Sequence, residues 1–235
     1  NCLISGNLVS LTSYYAKGGG IYNLATSGAT ASPILTNCTI TGNLSRSHGG
    51  IYDEDGSPTL TNCIVWGNDP GNYSGSGVIT YSNIEGGWDG VGNIDSHPFF
   101  VKGVDPDLAH TSAGDFHLME GSPAIDAGNN SADHLPAQDL DGEERIQNGT
   151  VDMGAYEGGQ EAPLFRVGTV AMEHARTWEP NFENLQDALA ASGPAIQIWV
   201  AAGIYYPDSG CAEAEIDKNK CSFEIPNGVK VYGGF

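Results

Sequence analysis

The sequence predicts an all-β fold built as a parallel β-helix, in which the chain winds in successive coils of short strands. Residues 32–43, SPILTNCTITGN, return almost unchanged at 57–68 as SPTLTNCIVWGN, and NCLISGN at 1–7 is a shorter copy. The 33 glycines favour short strands that are joined by tight turns. No segment before residue 182 has the apolar spacing of an amphipathic helix.

A second motif precedes the two longer copies and defines the repeating unit. It reads GGGIYN at 18–23 and GGIYD at 49–53, and a weaker copy of the first motif, TYSNIEGG, stands at 80–87. Each unit therefore holds about three short strands, separated by Gly and Asn because these residues tolerate the left-handed backbone of a sharp corner. Coils of this kind stack about 4.8 Å apart, so that each strand pairs with its equivalent in the next coil.

Stacked coils place equivalent residues above one another, which predicts columns of like side chains. Leu35 and Leu60 are expected to point into the core, as are Ile4, Ile40 and Val65. Two ladders of asparagine side chains are expected at corners, one formed by Asn37 and Asn62 and the other by Asn7, Asn43 and Asn68.

Cys2, Cys38 and Cys63 form a further predicted column, whose chemistry has three interpretations. The spacing favours buried free thiols, because a free cysteine packs as a small apolar residue. Stacked coils are also close enough for a disulfide, whereas metal thiolates usually occur as close pairs such as C-x-x-C. Cys211 and Cys221 differ, since they flank a polar insert, CAEAEIDKNKC, and a local disulfide is expected to close this loop.

The repeat motifs resemble those of known β-helix proteins. GGGIYN and SPTLTNC are similar to repeats in right-handed parallel β-helices of bacterial surface proteins, of the polymorphic outer-membrane-protein and pectin-lyase-like types. GDFHLMEGSPAIDAGNN at 114–130 and DLDGEERIQNGTVDMGAYE at 139–157 resemble the segment that ends such helices in large secreted proteins of the choice-of-anchor type. The resemblance covers residues 1–157 and implies a right-handed parallel β-helix.

Residues 164–235 resemble the beginning of a helix of the same kind. In NFENLQDALAAS, Phe182, Leu185 and Leu189 share one helical face, and Gly193-Pro194 would end the helix, which predicts a short capping α-helix near 181–192. AIQIWVAAGIYY then alternates as a strand, and FEIPNGVKVYGGF reads as strand, Asn-Gly turn and strand.

The closing segment thus precedes the opening segment along the chain, the reverse of the usual order. Residues 1–157 are expected to finish one solenoid, 158–163 to form a junction, and 164–235 to begin the next solenoid. Open solenoid ends are unpaired strand edges. Head-to-tail contacts between copies, or a tandem chain, would therefore build a filament, because repeated heterologous contacts give open fibres.

The charge excludes several classes of partner. The chain has 29 acidic and 9 basic residues, a net charge of −20. Such a surface repels nucleic-acid phosphates and anionic lipids. No apolar stretch is long enough for a transmembrane helix, so membrane insertion of this segment is not expected. An acidic composition with few Lys and Arg residues fits an extracellular or cell-surface location.

Catalytic chemistry is not expected. A polysaccharide lyase needs a base with neighbouring cations, and a glycosidase needs paired carboxylates. The nine basic residues occupy no equivalent positions in adjacent coils, Asp53–Asp55 reads as a polar turn, and His110 and His117 are expected to be surface or structural residues. Asp139, Asp141 and Glu143 alternate around Gly142 like half of a calcium loop, so that calcium and a structural turn are both open interpretations.

The function indicated by these features is structural: an extracellular filament or surface-layer module whose partners are copies of itself. A carbohydrate-binding or adhesin module is the main alternative, and a polysaccharide lyase or glycosidase is a further one. The carbohydrate alternative would use exposed aromatic residues, namely Tyr14, Tyr15, Trp66, Tyr73 and Trp88. Asn72, Asn129 and Asn148 lie in sequons at expected loops and are candidates for glycosylation.

Overall fold

The computed structural model describes residues 1–9, 12, 16–26, 29–160, 164–167, 197–200 and 230–233. The chain forms two compact units, Asn1–Gln160 and Glu161–Phe235. The described residues are nearly all β, with mostly parallel strand pairs and one short 3₁₀ helix at Pro106–Leu108. The prediction of an all-β protein is thereby confirmed. The predicted capping helix at 181–192 and the Cys211–Cys221 pair lie outside the described residues.

The repeats of the first unit contain ten short strands. In chain order they are β1 (Cys2–Ser5), β2 (Ile21–Leu24), β3 (Ile34–Thr36), β4 (Cys38–Thr41), β5 (Ile51–Glu54), β6 (Thr59–Thr61), β7 (Ile64–Trp66), β8 (Tyr73–Ser74), β9 (Val78–Thr80) and β10 (Asn83–Ile84). Consecutive strands belong to different sheets, and each strand pairs in parallel with the strand three positions later. The three sheets are β1-β4-β7-β10, β2-β5-β8 and β3-β6-β9.

The register places equivalent repeat residues side by side. Ile4 pairs with Ile40 and Ile40 with Val65, while Leu35 pairs with Leu60. These side chains belong to one core cluster between the three sheets. The apolar residues of the repeat are therefore the residues that meet inside.

The corners between strands need backbone conformations that most side chains disfavour. Asn37 and Asn62 occupy equivalent corners with φ of 50° and 56°, and asparagine tolerates this left-handed region better than most residues do. Gly6 lies at a second type of corner with φ of 63°, and a Cβ atom there would come within 1.9 Å of the Thr111 carbonyl oxygen. The repeated Asn and Gly residues are explained by these corners.

The rest of the first unit packs on the outer face of the first sheet. It contains β11 (Phe100–Lys102), β12 (Asp115–Met119), β13 (Ile146–Gln147), β14 (Thr150–Val151) and β15 (Gly159–Gln160). A second core cluster joins Ile64 of β7 to Phe116, Leu118 and Met153 of this segment. Both faces of the first sheet are therefore buried. We call residues 97–157 the covering segment.

The second unit contains three described strands. They are β16 (Leu164–Val167), β17 (Gln197–Val200) and β18 (Lys230–Gly233). They form one parallel sheet in the order β16-β17-β18, in which Leu164 pairs with Gln197 and Gln197 with Lys230.

Candidate functional site

The three sheets of the repeats share an edge whose strands are paired on one side only. Among the described strands, β1 pairs only with β4, β2 only with β5, and β3 only with β6. We call the outer side of β1, β2 and β3 the upstream edge. Its backbone N–H and C=O groups point away from the sheets, as they do at any unpaired strand edge.

The core is open at the upstream edge. Ile40, Ile51 and Leu60 of the second coil are 0%, 1% and 0% exposed. Their partners in the first coil, which pack against the same cluster, are only partly buried: Ile4, Ile21 and Leu35. The same column of apolar side chains is thus sealed inside the stack and reaches solvent at its end.

Three further apolar side chains of the first coil are exposed on the outward faces of its strands. Tyr22 is 44% exposed, Leu24 45% and Ile34 55%. These three residues lie on β2 and β3, which among the described strands are paired on one side only. An apolar surface beside free backbone groups is the usual character of a strand-pairing interface.

The opposite, downstream end of the repeats is covered. The Trp88 ring packs edge-on against Tyr73, with 4.7 Å between centroids, and contacts the core cluster. Ile94 forms a parallel bridge to Asn83 of β10. Ile79 and Ile84, the last core residues, are consequently 2% and 1% exposed. The two ends of the stack therefore differ.

One asparagine ladder runs along the stack towards the downstream end. The Nδ2 of Asn7 donates to the Oδ1 of Asn43 at 2.8 Å, and the Nδ2 of Asn43 donates to the Oδ1 of Asn68 at 2.9 Å. Asn68 then donates to Asn72 at 2.8 Å, and Asn72 donates to the Glu85 carboxylate at 2.8 Å. Every amide points the same way, so the ladder has a direction.

The other asparagine ladder anchors the covering segment. Asn62 donates to the Oδ1 of Asn37 at 3.1 Å, and both side chains are fully buried. Asn37 also donates to the Asp152 carbonyl at 2.8 Å, while the Oδ1 of Asn62 accepts from the Asn129 backbone N–H at 2.7 Å. The ladder therefore connects the equivalent corners of two coils and also binds residues 97–157 to the repeats.

The three stacked cysteines are free thiols in unlike surroundings. Cys38 is 4% and Cys63 0% exposed, whereas Cys2 is exposed on β1, which among the described strands pairs only with β4. The interpretation of a fully buried column is thus wrong for Cys2. The neighbouring Cys63 thiol lowers the pKa of the Cys38 thiol. Burial, followed by this same contact, raises the pKa of Cys63 well above its ordinary value.

The covering segment contains a buried ion pair that the sequence did not indicate. Arg145 is 1% exposed and donates to the Glu157 carboxylate at 2.9 Å and to the Oδ1 of Asn1 at 2.6 Å. Burial raises the pKa of Glu157 to about 7, because it outweighs the hydrogen bond from Arg145. Burial likewise raises the pKa of Asp152 to about 6. This network ties residues 145–157 to the start of β1.

The calcium candidates form a turn. The Oδ1 of Asp139 accepts from the backbone N–H groups of Asp141 and Glu143 at 2.8 and 3.0 Å, and its Oδ2 accepts from the Glu157 N–H at 2.9 Å. Asp139 is thus occupied by backbone donors, while Asp141 and Glu143 are exposed. Within the described ranges, no group of three or more His, Cys, Asp or Glu residues is arranged to hold a metal ion.

His117 lies between two carboxylates. Its Nδ1 is 2.5 Å from Asp115 and its Nε2 is 2.6 Å from Asp141, and its ring stacks on Tyr156 with 4.0 Å between centroids. Burial lowers the pKa of His117, but the hydrogen bonds to Asp115 and Asp141 outweigh burial and raise it above the ordinary value. Two carboxylate acceptors require two N–H donors, which only the charged ring supplies.

The aromatic residues proposed for carbohydrate binding do not form a row on the described surface. Trp66 packs against the second core cluster and its ring meets His97 edge-on. Tyr73 and Trp88 pack against each other and against the first cluster. Tyr14 and Tyr15 lie outside the described residues.

The three sequon asparagines differ in exposure. Asn72 is 8% exposed and belongs to the amide ladder, so its side chain is not available for glycosylation in the folded unit. Asn129 is partly buried, and Asn148 is exposed at a turn with φ of 52°.

No protein-family model matches the chain, and no curated protein or solved structure matches it either. Among the described residues there is no helix that is long and apolar enough to cross a membrane.

Proposed function

We propose that this chain is a structural extracellular module, a right-handed parallel β-helix that assembles with copies of itself head to tail through open strand edges. The observation that carries this proposal is the open core at the upstream edge. Ile4, Ile21 and Leu35 lack the cover that seals Ile40, Ile51 and Leu60 in the next coil. One further coil, supplied by a second copy, would give both the core and the strand edge the partners that they have inside the stack.

The second unit supplies a strand edge of the matching kind. β18 pairs with β17 in a parallel sheet and, among the described strands, with no other. In the proposed assembly the outer edge of β18 from one copy adds to the upstream edge of the next. Stacked coils held by backbone pairing form a stiff rod, and the net charge of −20 limits sideways aggregation. The module works mechanically and needs neither a catalytic group nor a cofactor.

The proposal is tested by sedimentation velocity and electron microscopy over a range of protein concentrations. The unmodified chain should form rods that lengthen with concentration. Leu24→Lys combined with Ile34→Lys should keep the chain short, because charges on an edge strand oppose pairing. Ile146→Lys is the matched control, since Ile146 is 43% exposed, nearly as much as Leu24, but lies in the covering segment.

Two results would contradict the assembly. One is a single small species at every concentration of the unmodified chain. The other is rod growth that Leu24→Lys/Ile34→Lys leaves unchanged, which would place the contact elsewhere on the surface.

A further inference from the structure

We infer that Cys2 and Cys38 are a redox pair, which a small-molecule disulfide such as glutathione disulfide converts into a disulfide bond between β1 and β4. Cys2 and Cys38 are direct partners in the parallel register of these strands. Neighbouring strands lie about 4.8 Å apart, within the range of about 4.4–6.8 Å between Cα atoms that disulfides span. The bond would need little movement of the backbone.

The two thiols have complementary properties. Cys2 is exposed, and β1 pairs only with β4 among the described strands, so a dissolved disulfide can reach this thiol. Cys38 is buried beside it, and the neighbouring Cys63 thiol lowers the pKa of Cys38. The thiolate is the form that attacks a disulfide. Cys2 is thus the thiol that reacts first with the small disulfide, and Cys38 is the thiol that then forms the bond to Cys2.

Cys63 does not take the place of either partner. It is fully buried, and burial raises the pKa of its thiol well above the ordinary value. β7, which follows it, is also held on both sides, by β4 and β10. Within the described part of the chain β1 pairs with β4 alone, and it can adjust to a new bond.

The reaction has two exchange steps. The Cys2 thiolate attacks one sulfur of the small disulfide, forms a mixed disulfide and releases one small thiolate. The Cys38 thiolate then attacks the Cys2 sulfur and releases the second small thiolate. The two protons lost by Cys2 and Cys38 end on the two released thiols. The protein pair is oxidised by two electrons and the small disulfide is reduced by two.

The experiment uses the full chain with Cys211→Ser and Cys221→Ser, so that three cysteines remain. Trypsin cleaves after Lys17, Arg46 and Lys102, which separates Cys2, Cys38 and Cys63 into different peptides. After treatment of the folded protein with glutathione disulfide, mass spectrometry should find peptide 1–17 linked to peptide 18–46. The intact protein should lose the mass of two hydrogens.

Two variants separate the steps. Cys38→Ser should stop the reaction at a glutathione adduct on Cys2. Cys63→Ala should give the same link as the parent protein, but the second step should be slower, because the neighbouring thiol that lowers the pKa of Cys38 is lost.

Three results would overturn the inference. They are a link between Cys38 and Cys63, a glutathione adduct that persists on Cys2 while Cys38 is present, and no reaction at Cys2. The protein treated in urea gives the pattern of random linkage for comparison. The reaction is run at a protein concentration at which sedimentation velocity shows single chains, because the proposed assembly would cover β1; its result then concerns two strands of one copy and does not depend on the assembly.

Discussion

The amide ladder predicts a large difference between two chemically identical substitutions. Asn43 is fully buried and its amide makes four hydrogen bonds, to Ile4, to Asn68 and two with Asn7. A hydrogen bond contributes about 1 kcal/mol net, and a buried group left unpaired costs about 1–3 kcal/mol. Asn43→Ala should therefore lower the free energy of unfolding by about 3–5 kcal/mol. Asn7→Ala removes one bond at an exposed position and should cost less than about 1 kcal/mol.

The assay is urea-dependent hydrogen exchange of peptides from residues 38–68, because these peptides report on the first unit alone. The two variants should shift the urea midpoint of these peptides by clearly different amounts, with similar slopes. Equal shifts for Asn43→Ala and Asn7→Ala would refute the reasoning, since the ladder would then contribute no more inside the stack than at its end.

The remaining predictions concern three other contacts, read by the same exchange experiment or by NMR. Trp88→Ala should lower the free energy of unfolding by about 3 kcal/mol, because it uncovers the downstream end of the core. An unchanged hydrogen-exchange rate in residues 78–84 would show that other residues seal this end. Arg145→Met should lower the free energy of unfolding by about 3–5 kcal/mol, because Glu157 stays buried without its partner. Adding Glu157→Gln should recover part of this loss of stability. No recovery would argue against the ion pair as the cause. The folded pKa of His117 should lie above the unfolded value of about 6.5. The stabilisation that His117 gains from the carboxylates of Asp115 and Asp141 is fully present below the unfolded pKa and is lost as the pH rises through the folded pKa. Asp141→Asn should lower the folded pKa of His117 in an NMR titration. An unchanged pKa would exclude the contact between His117 and Asp141.

Features that repeat along the chain were accessible to sequence reasoning. Each asparagine or apolar residue of the repeat meets its own equivalent in the next coil, as Asn37 meets Asn62 and Leu35 meets Leu60. A repeated residue therefore carries information about its neighbour, because the neighbour occupies the same position in the motif. The all-β class followed from the same pattern.

Features that occur once were not accessible in this way. Trp88 covers the downstream end of the core, but a single Trp among glycines gives no periodic signal. Arg145 pairs with Glu157 and reaches Asn1, a contact between residues 144 positions apart. The packing of residues 97–157 on the outer face of the first sheet also left no repeating sequence pattern. One signal was available: Ile64 is apolar at a position that faces away from the first core, which indicates that another segment covers it.

The direction of the amide ladder matches head-to-tail association in the proposed assembly. At the upstream edge the ladder ends on the Asn7 amide, and at the other end it terminates on the Glu85 carboxylate. The two ends of the ladder therefore differ. An amide of a second copy that donates to the Oδ1 of Asn7 would continue the ladder in the same direction, as Asn7 donates to Asn43. Such a contact joins two different surfaces, and a heterologous contact that does not close into a ring continues as a fibre.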